Sequence, residues 1–262
     1  MQEPWRTAIT TYDESNIWVS GYPIGELMQK LSFAEMIFLL HAGRVPTKEE
    51  GKLLDAILIS SADHGPGSPS AATARLACSG NRSSVSSAIA AGVLAIGNEH
   101  GGAGMACMEM IQQGIALAKA EGISLQEAAE RTVDAKRAKG ERLAGLGHRQ
   151  HSSDPRKEIL FGMAREFGLA KEGVAFMDAL QAAVAEKVKP LPVNIDGVLA
   201  AILVDLGFAP VMGRLVFIVG RVAGLSAEVA EELSREKPMR IKVPVAYDGP
   251  APRELPGSEK QE

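Results

Sequence analysis

The stretch Ser32-Phe33-Ala34-Glu35-Met36-Ile37-Phe38-Leu39-Leu40-His41-Ala42-Gly43 carries the signals that mark a helix at both ends. Its Ser and Glu form a capping box, in which each side chain hydrogen-bonds the backbone amide of the other residue. The glycine ends the helix because it readily adopts the left-handed conformation of a C-terminal cap. The same box recurs at 47–50 and at 124–127, each time before an apolar periodic run. The sequence therefore predicts a mainly α-helical fold.

Eight further helices are predicted from apolar residues that recur with helical spacing. They cover residues 69–78, 84–97, 101–120, 155–167, 172–186, 193–206, 209–223 and 227–235. Strand patterns are short and lie at 7–10, 17–19 and 241–243. We therefore expect an all-α fold with loops at 64–69 and 140–154 and an extended, proline-containing tail from Lys237 onward.

The composition is that of an ordinary globular protein. Of 262 residues, 46% are hydrophobic and 23% are charged, and the net charge is −4 at pH 7. This balance offers no broad basic face for nucleic acid or for an anionic membrane. The apolar stretch 198–225 is interrupted by three charged residues, and no uninterrupted apolar run within it reaches the roughly 18 residues that a membrane span needs. With no signal-peptide pattern at the N-terminus, we expect a soluble, cytoplasmic protein without nucleic-acid or membrane partners.

The cysteines and histidines do not follow a metal-binding pattern. Cys78 and Cys107 lie in alanine-rich helical segments, and we expect both to be buried, reduced thiols. His100 has no second histidine at helical spacing and no cysteine cluster beside it. The sequence therefore predicts neither a metal site nor a prosthetic group.

The segment Glu99-His100-Gly101-Gly102-Ala103-Gly104 places an imidazole beside three glycines at the start of a predicted helix. The glycines let a ligand approach the backbone closely, and the positive end of the helix lies near the ring. That dipole lowers the pKa of the imidazole, and a neutral imidazole can donate a hydrogen bond to an enolate oxygen. The alternative is a glycine helix-packing motif with an incidental histidine.

The segment Gly145-Leu146-Gly147-His148-Arg149-Gln150-His151-Ser152-Ser153-Asp154-Pro155-Arg156 presents an imidazole on a flexible loop. Asp154 caps the helix that begins at Pro155. Arg156 lies at the positive end of that helix, where the dipole disfavours a cation. A cation in this place indicates an anionic ligand, and the alternative is a surface loop with a routine cap.

The segment Pro192-Val193-Asn194-Ile195-Asp196-Gly197-Val198-Leu199 places a lone carboxylate before an apolar helix. Partial burial would raise the pKa of Asp196 from about 3.9 and make the carboxylate a better proton acceptor. The alternative is that Asp196 is only the N-cap of the helix.

These three motifs, in this order, resemble the citrate synthase family. Residues 22–27 (Tyr-Pro-Ile-Gly-Glu-Leu) and 44–49 (Arg-Val-Pro-Thr-Lys-Glu) are also similar to the N-terminal signature of that family. The resemblance implies a mainly helical, dimeric enzyme with an active-site cleft between two domains. The large helical domain would comprise 1–104 and 208–262, and the small one 105–207.

Matched residue by residue, the resemblance implies that Asp196 is the general base acting on the methyl group of acetyl-CoA. His100 matches the residue that hydrogen-bonds the thioester oxygen and stabilises the enol, and His148 matches the one that polarises the ketone of oxaloacetate. The resemblance also implies three residues that bind the carboxylates of the substrate, namely His64, Arg156 and Arg221. The coenzyme A thioester is expected as a substrate, with its adenine against the backbone of Leu143, Ala144, Gly145, Leu146 and Gly147.

Three positions depart from the family pattern. Gly104 stands where asparagine is common, and Gln150 stands where an aliphatic residue is common. Lys237 stands where many synthases have an arginine that reaches the citrate of the partner subunit. Lysine lacks the bidentate fork of arginine, so the resemblance does not carry that contact over.

The Asn-Ile-Asp-Gly sequence at 194–197 and the length of the chain are most similar to short citryl-CoA lyases and to the citrate-synthase-like module of ATP-citrate lyase. We therefore expect a citryl-CoA lyase that cleaves citryl-CoA to acetyl-CoA and oxaloacetate. A citrate synthase or 2-methylcitrate synthase is the close alternative, favoured by the retained His100, and a non-catalytic binding or regulatory homologue is the third. We also expect a homodimer or a dimer-based oligomer, and cleavage of citryl-CoA would be compatible with a separate citryl-CoA synthetase as a partner.

Overall fold

The computed structural model describes residues 4–147 and 154–253. In these ranges the chain forms eleven α-helices and one small sheet. The helices are α1 (Ile24–Lys30), α2 (Phe33–Ala42), α3 (Lys48–Ala62), α4 (Pro69–Gly80), α5 (Val85–Leu94), α6 (Ala103–Glu121), α7 (Leu125–Ala138), α8 (Pro155–Glu166), α9 (Glu172–Lys187), α10 (Ile195–Asp205) and α11 (Met212–Arg235). The expected mainly helical fold is confirmed.

The predicted helix starts at α2 and α3 have the expected cap geometry. The Ser32 hydroxyl accepts a hydrogen bond from the Glu35 amide at 3.2 Å, and the Glu35 carboxylate accepts one from the Ser32 amide at 2.7 Å. Gly43 ends α2 with φ of 69°. The Thr47 and Glu50 pair makes the same reciprocal bonds at the start of α3. Local sequence therefore sets these helix ends.

The sheet is an antiparallel meander of three short strands near the N-terminus. The strands are β1 (Thr10–Tyr12), β2 (Ile17–Val19) and β3 (Tyr22–Pro23), with Thr10 opposite Val19. The first strand thus begins three residues later than its predicted start at 7. The predicted strand at 241–243 is wrong, because this segment is mostly exposed and belongs to no strand. Pro244 follows it directly and has no amide hydrogen for a ladder.

The predicted helices 209–223 and 227–235 are wrong as two elements, because α11 runs through both as one helix of 24 residues. The sequence Gly224-Leu225-Ser226 indicated a break. A Cβ at Gly224 would instead lie 2.0 Å from the carbonyl oxygen of Ala62, so this glycine lets α11 pack closely on the end of α3. No helix in the described ranges is long and apolar enough to cross a membrane.

The largest apolar cluster lies where α6, α9 and α10 pack together, and it extends to α2 and α3. A smaller cluster joins α4, α5 and α11. Both cysteines are buried and free, as predicted, with Cys78 in the smaller cluster and Cys107 in the larger one. The division into domains 1–104 plus 208–262 and 105–207 stays a prediction.

Candidate active site

His100 lies in a tight turn between α5 and α6. Its backbone exchanges two hydrogen bonds with Gly97, at 2.9 and 3.1 Å. Gly101 has φ of 73°, and a Cβ there would lie 2.2 Å from the ring of Phe217. The turn therefore requires glycine both for its backbone conformation and for its contact with α11.

Ser70, the second residue of α4, fixes the hydrogen bonding of the His100 ring. The Ser70 amide donates to Nε2 at 3.3 Å, and the Ser70 hydroxyl lies 2.9 Å from the same nitrogen. Because an amide only donates, Nε2 is the acceptor, and the hydrogen of a neutral ring resides on Nδ1. Burial, followed by the charges of Arg221 and His64, lowers the pKa of His100. The arrangement gives a neutral imidazole whose Nδ1–H makes no hydrogen bond to any other residue that the structure describes.

Arg221 lies on α11 with 3% of its surface exposed. Its Nε donates to the Ser61 carbonyl at 3.0 Å, and its Nη1 donates to the Ser70 hydroxyl at 3.1 Å. The guanidinium also lies over the Phe217 ring, 4.8 Å from its centre. Burial lowers the pKa of Arg221, and the charge of Asp63 opposes that shift. Ser70 thus links the buried cation directly to the His100 ring.

Arg156 and Asp154 form a bidentate ion pair at the start of α8. Nε and Nη2 of Arg156 lie 2.9 and 2.8 Å from the two Asp154 oxygens, and Nη1 donates to the Ser60 carbonyl at 3.1 Å. Asp154 also caps the helix, as predicted, by accepting from the Arg156 amide. The cation therefore already has a protein carboxylate, so its position alone does not require an external anion. Substrate binding by Arg156 stays a prediction.

Asp196 is the second residue of α10 and does not cap the helix. The N-cap is Asn194, whose side chain accepts from the Gly197 amide at 3.2 Å, so the alternative of Asp196 as a cap is wrong. Burial raises the pKa of Asp196, while the charges of Arg156 and Arg221 oppose the rise. Asp196 is therefore available as a proton carrier beside two cations.

The 143–147 loop is attached to the start of α10. The Gly145 carbonyl accepts from the Asn194 amide at 3.0 Å, and the Gly147 amide donates to the Pro192 carbonyl at 2.8 Å. A Cβ at Gly197 would lie 2.4 Å from the Gly145 oxygen. The glycine after Asp196 is thus explained by the close approach of this loop.

Cys107 on α6 packs close to the contact between Gly145 and Gly197. A Cβ at Gly145 would come within 2.6 Å of its sulfur. Burial first, and then the charge of Asp196, raises the pKa of the Cys107 thiol. The side chain therefore acts as a small apolar filler, which fits its predicted character.

The structure brings four of the predicted site residues into one electrostatic neighbourhood: Asp196 with Arg156 and Arg221, and His100 with Arg221. His64 lies on the exposed loop between α3 and α4, close enough for its charge to affect His100. His148, assigned to the ketone, and Gln150 lie outside the described residues. Sequence reasoning missed Ser70 and Asn194, which the structure places as partners of His100 and of the 143–147 loop.

Gly104, one of the departures from the family pattern, has a packing explanation. A Cβ at Gly104 would lie 2.9 Å from the Gly213 carbonyl oxygen, and one at Gly213 would lie 2.6 Å from the Gly104 carbonyl carbon. The two glycines therefore let α6 and α11 cross in close contact. Lys237 lies exposed just after α11. Among the described residues, no group of three or more His, Cys, Asp or Glu side chains is placed to hold a metal ion.

Comparison with known proteins gives a consistent family match. The family model described as citrate synthase, C-terminal domain, matches residues 48–242. The structure of citryl-CoA lyase from Hydrogenobacter thermophilus is similar with a TM-score of 0.89 and 36% identity, covering 97% of this chain and 98% of that one.

Two citrate synthases are also similar. The one from Deinococcus radiodurans is 29% identical over 77% of this chain and 52% of its own length. This chain thus spans about half the length of that relative. The citrate synthase from Thermoplasma acidophilum, solved as a ternary complex with carboxymethyl coenzyme A and oxaloacetate, matches with a TM-score of 0.70 and 26% identity, over 86% of this chain and 58% of that one.

Proposed function

Because this chain belongs to the citrate synthase family, we propose that it is a citryl-CoA lyase, which cleaves citryl-CoA into acetyl-CoA and oxaloacetate. The observation that carries this choice of direction is the likeness to the Hydrogenobacter thermophilus lyase, at 36% identity over nearly the whole of both chains. The Asn-Ile-Asp-Gly sequence at 194–197, which resembles the lyases, also supports this choice.

In this proposal His100 stabilises the enol of acetyl-CoA. The Ser70 amide holds Nε2 as an acceptor, so Nδ1–H is the donor available to the thioester oxygen. The lowered pKa of His100 keeps the ring neutral, and a neutral imidazole can donate a hydrogen bond to the enol oxygen without fully protonating it. Negative charge that develops on that oxygen is stabilised by a donor already in place.

Asp196 exchanges the proton on carbon. In the cleavage direction its carboxyl group delivers a proton to the terminal carbon of the enol, and in condensation its carboxylate removes that proton from the methyl group. Burial raises the pKa of Asp196, which increases the share of the protonated form that cleavage needs. His148, by its match to the family motif, takes the hydroxyl proton of citryl-CoA as the C–C bond breaks.

The carboxylates of the citryl group are bound by Arg221, Arg156 and His64 in this proposal. Arg221 is buried and reaches the Ser70 hydroxyl, so its charge lies next to the His100 ring. A buried guanidinium is costly unless an anion compensates it, and a substrate carboxylate supplies that charge. Binding would then place the citryl group between the enol-stabilising donor and the proton carrier.

The adenine of the coenzyme would lie along the backbone of residues 143–147, whose own bonds to the start of α10 hold it in place. We also propose the expected homodimer, with the active site in the cleft between the two predicted domains. The cytoplasmic location and the separate citryl-CoA synthetase partner remain predictions.

A citrate synthase or 2-methylcitrate synthase is the second candidate. The likeness to the Deinococcus radiodurans and Thermoplasma acidophilum enzymes favours it. Both directions use the same three residues, so activity has to decide between them.

The test compares two reactions of the purified protein. One contains citryl-CoA, and the other contains acetyl-CoA with oxaloacetate. We expect acetyl-CoA and oxaloacetate to form in the first, and little free CoA or citrate in the second. Rapid release of CoA and citrate in the second reaction would instead assign a synthase. The Asp196→Ala variant should be inactive while its circular dichroism spectrum stays that of the wild type.

A further inference from the structure

We infer that Asn194 is a positioning residue that connects the coenzyme loop at 143–147 to the helix end that carries Asp196. The inference rests on the proposed function, because it assigns the coenzyme to that loop and the proton transfer to Asp196. In this inference Asn194 contacts neither the coenzyme nor the citryl group. It acts through the 143–147 loop, which would bind the coenzyme, and through the start of α10, which carries Asp196.

Every polar group of Asn194 hydrogen-bonds to one of these two elements, and its own carbonyl accepts from the Val198 amide of α10 at 3.1 Å. Its amide donates to the Gly145 carbonyl at 3.0 Å, and its Nδ2 donates to the Gly147 carbonyl at 2.9 Å. Its Oδ1 accepts from the Gly197 amide at 3.2 Å. The carboxamide carries its donor and its acceptor on two different atoms, so Asn194 bonds the Gly147 carbonyl through Nδ2 and the Gly197 amide through Oδ1 at the same time.

The surrounding contacts prevent the loop and the helix end from moving separately. The Gly147 amide donates to the Pro192 carbonyl at 2.8 Å, and Leu146 pairs with Val193 in an antiparallel bridge. The Gly145 and Gly197 backbones are already so close that a Cβ on Gly197 would lie 2.4 Å from the Gly145 oxygen. A shift of the loop therefore displaces the first turn of α10.

Asp196 lies two residues beyond Asn194 in that first turn. A coenzyme that binds and orders the loop thus also fixes the position of the Asp196 carboxyl group. Misplacing a reacting group by about 1 Å can lower a rate by about 100-fold. The Asn194 side chain therefore links binding of the coenzyme to the placement of the proton carrier.

The test separates the two functions of the side chain with matched variants. Asn194→Ser keeps a short acceptor for the Gly197 amide but lacks the second side-chain atom, Nδ2, that donates to the Gly147 carbonyl. We expect the one lost hydrogen bond to lower Tm by about 2–4 °C and to raise KM for citryl-CoA by about 2- to 10-fold. Asn194→Ala also loses the cap, so its Tm should fall by about a further 2–4 °C.

Ser124→Ala is the matched control, because Ser124 caps α7 by the same kind of bond and lies away from the site. It should lower Tm by about 2–4 °C and leave KM at the wild-type value. Asn194→Ser with a wild-type KM would overturn the inference, even if Asn194→Ala is unstable. A KM that rises equally in Ser124→Ala would overturn it too, because the effect would then be one of general stability.

Failure of the proposed function gives a different result. In that case the wild-type protein does not cleave citryl-CoA, and no KM for citryl-CoA can be compared among the variants. The connection between the 143–147 loop and the start of α10 is then measured by hydrogen exchange of the 143–147 amides in the ligand-free protein. Faster exchange in Asn194→Ser than in wild type and Ser124→Ala supports the structural connection, and unchanged exchange overturns it.

Discussion

Replacing Gly197 with alanine should destabilise the protein and weaken its use of citryl-CoA. A Cβ at this position would lie 2.4 Å from the Gly145 carbonyl oxygen and 2.9 Å from Cγ1 of Val193. Non-bonded heavy atoms are comfortable at about 3.5 Å, so the carbonyl would have to retreat by about 1 Å. Rotating a side chain cannot relieve this contact, because the Gly145 oxygen is part of the backbone.

The magnitude follows from two opposing effects. Forcing a methyl group into a packed site costs about 1–3 kcal/mol, whereas the helix preference of alanine over glycine returns up to about 1 kcal/mol. We expect a net loss of about 1–2 kcal/mol, which lowers Tm by about 2–8 °C in a protein of this size. Displacing the loop and Asp196 by that distance should lower kcat/KM for citryl-CoA by about 10- to 100-fold.

Gly162→Ala is the control for this prediction. Gly162 lies within α8, and a Cβ there would meet nothing within 4 Å. The same substitution should therefore raise the free energy of unfolding by up to about 1 kcal/mol and leave the kinetics unchanged. The measurements are thermal unfolding and steady-state cleavage of citryl-CoA. Equal Tm and equal kcat/KM for the two alanine variants would refute the reasoning about the contact between Gly197 and Gly145.

Three other variants test the site and the fold. Asp196→Asn should abolish turnover and raise Tm at neutral pH, because burial raises the pKa of Asp196 and the ionised form is disfavoured there. The gain should disappear below about pH 3.9, where the carboxyl is protonated in both states; a gain that persists in calorimetry at acid pH contradicts this. Ser70→Ala should lower kcat by about 5- to 10-fold by removing the hydroxyl between His100 and Arg221, and an unchanged kcat would contradict that role. Glu50→Gln should lower Tm near neutral pH by about 1–3 °C, because the Arg44 guanidinium lowers the pKa of Glu50 and their ion pair stabilises the fold. This stability is lost as pH falls below about 4.3, so the two thermal unfolding curves should converge in acid and a constant difference would contradict it.

The helix ends were predictable where their signals are local. Ser32 and Glu35 are three residues apart, and their bonds form within one turn whatever the rest of the chain does. The break predicted near Gly224 was wrong for the opposite reason. Gly224 is required because the Ala62 carbonyl of another helix packs against it, and the residues next to Gly224 in the sequence do not reveal this contact.

The site residues show the same division. The motifs around His100 and Asp196 left a glycine packing motif and a helix cap open as alternatives, and their predicted roles in proton transfer came from the resemblance to the family. Ser70 was missed because its sequence reads only as the start of a helix, whereas its partner His100 lies 30 residues away. Asp154 was predicted as a cap, but its second role as the carboxylate partner of Arg156 depends on side-chain geometry.

Asn194 was missed because its neighbour Asp196 was the more conspicuous polar residue. Both asparagine and aspartate are good N-caps, so residue preference alone could not choose between them. The structure decides because α10 begins at Ile195, which puts Asn194 at the cap and Asp196 inside the first turn. The Asp196 carboxylate therefore does not cap α10, and its role as the proton carrier stays a proposal.

We propose that this protein cleaves citryl-CoA. The most direct measurement is product analysis after incubating the purified protein with citryl-CoA, with the Asp196→Ala variant in parallel. We expect equal amounts of acetyl-CoA and oxaloacetate from the wild type and neither from the variant. Citrate and free CoA as the products, or equal cleavage by the variant, would contradict it.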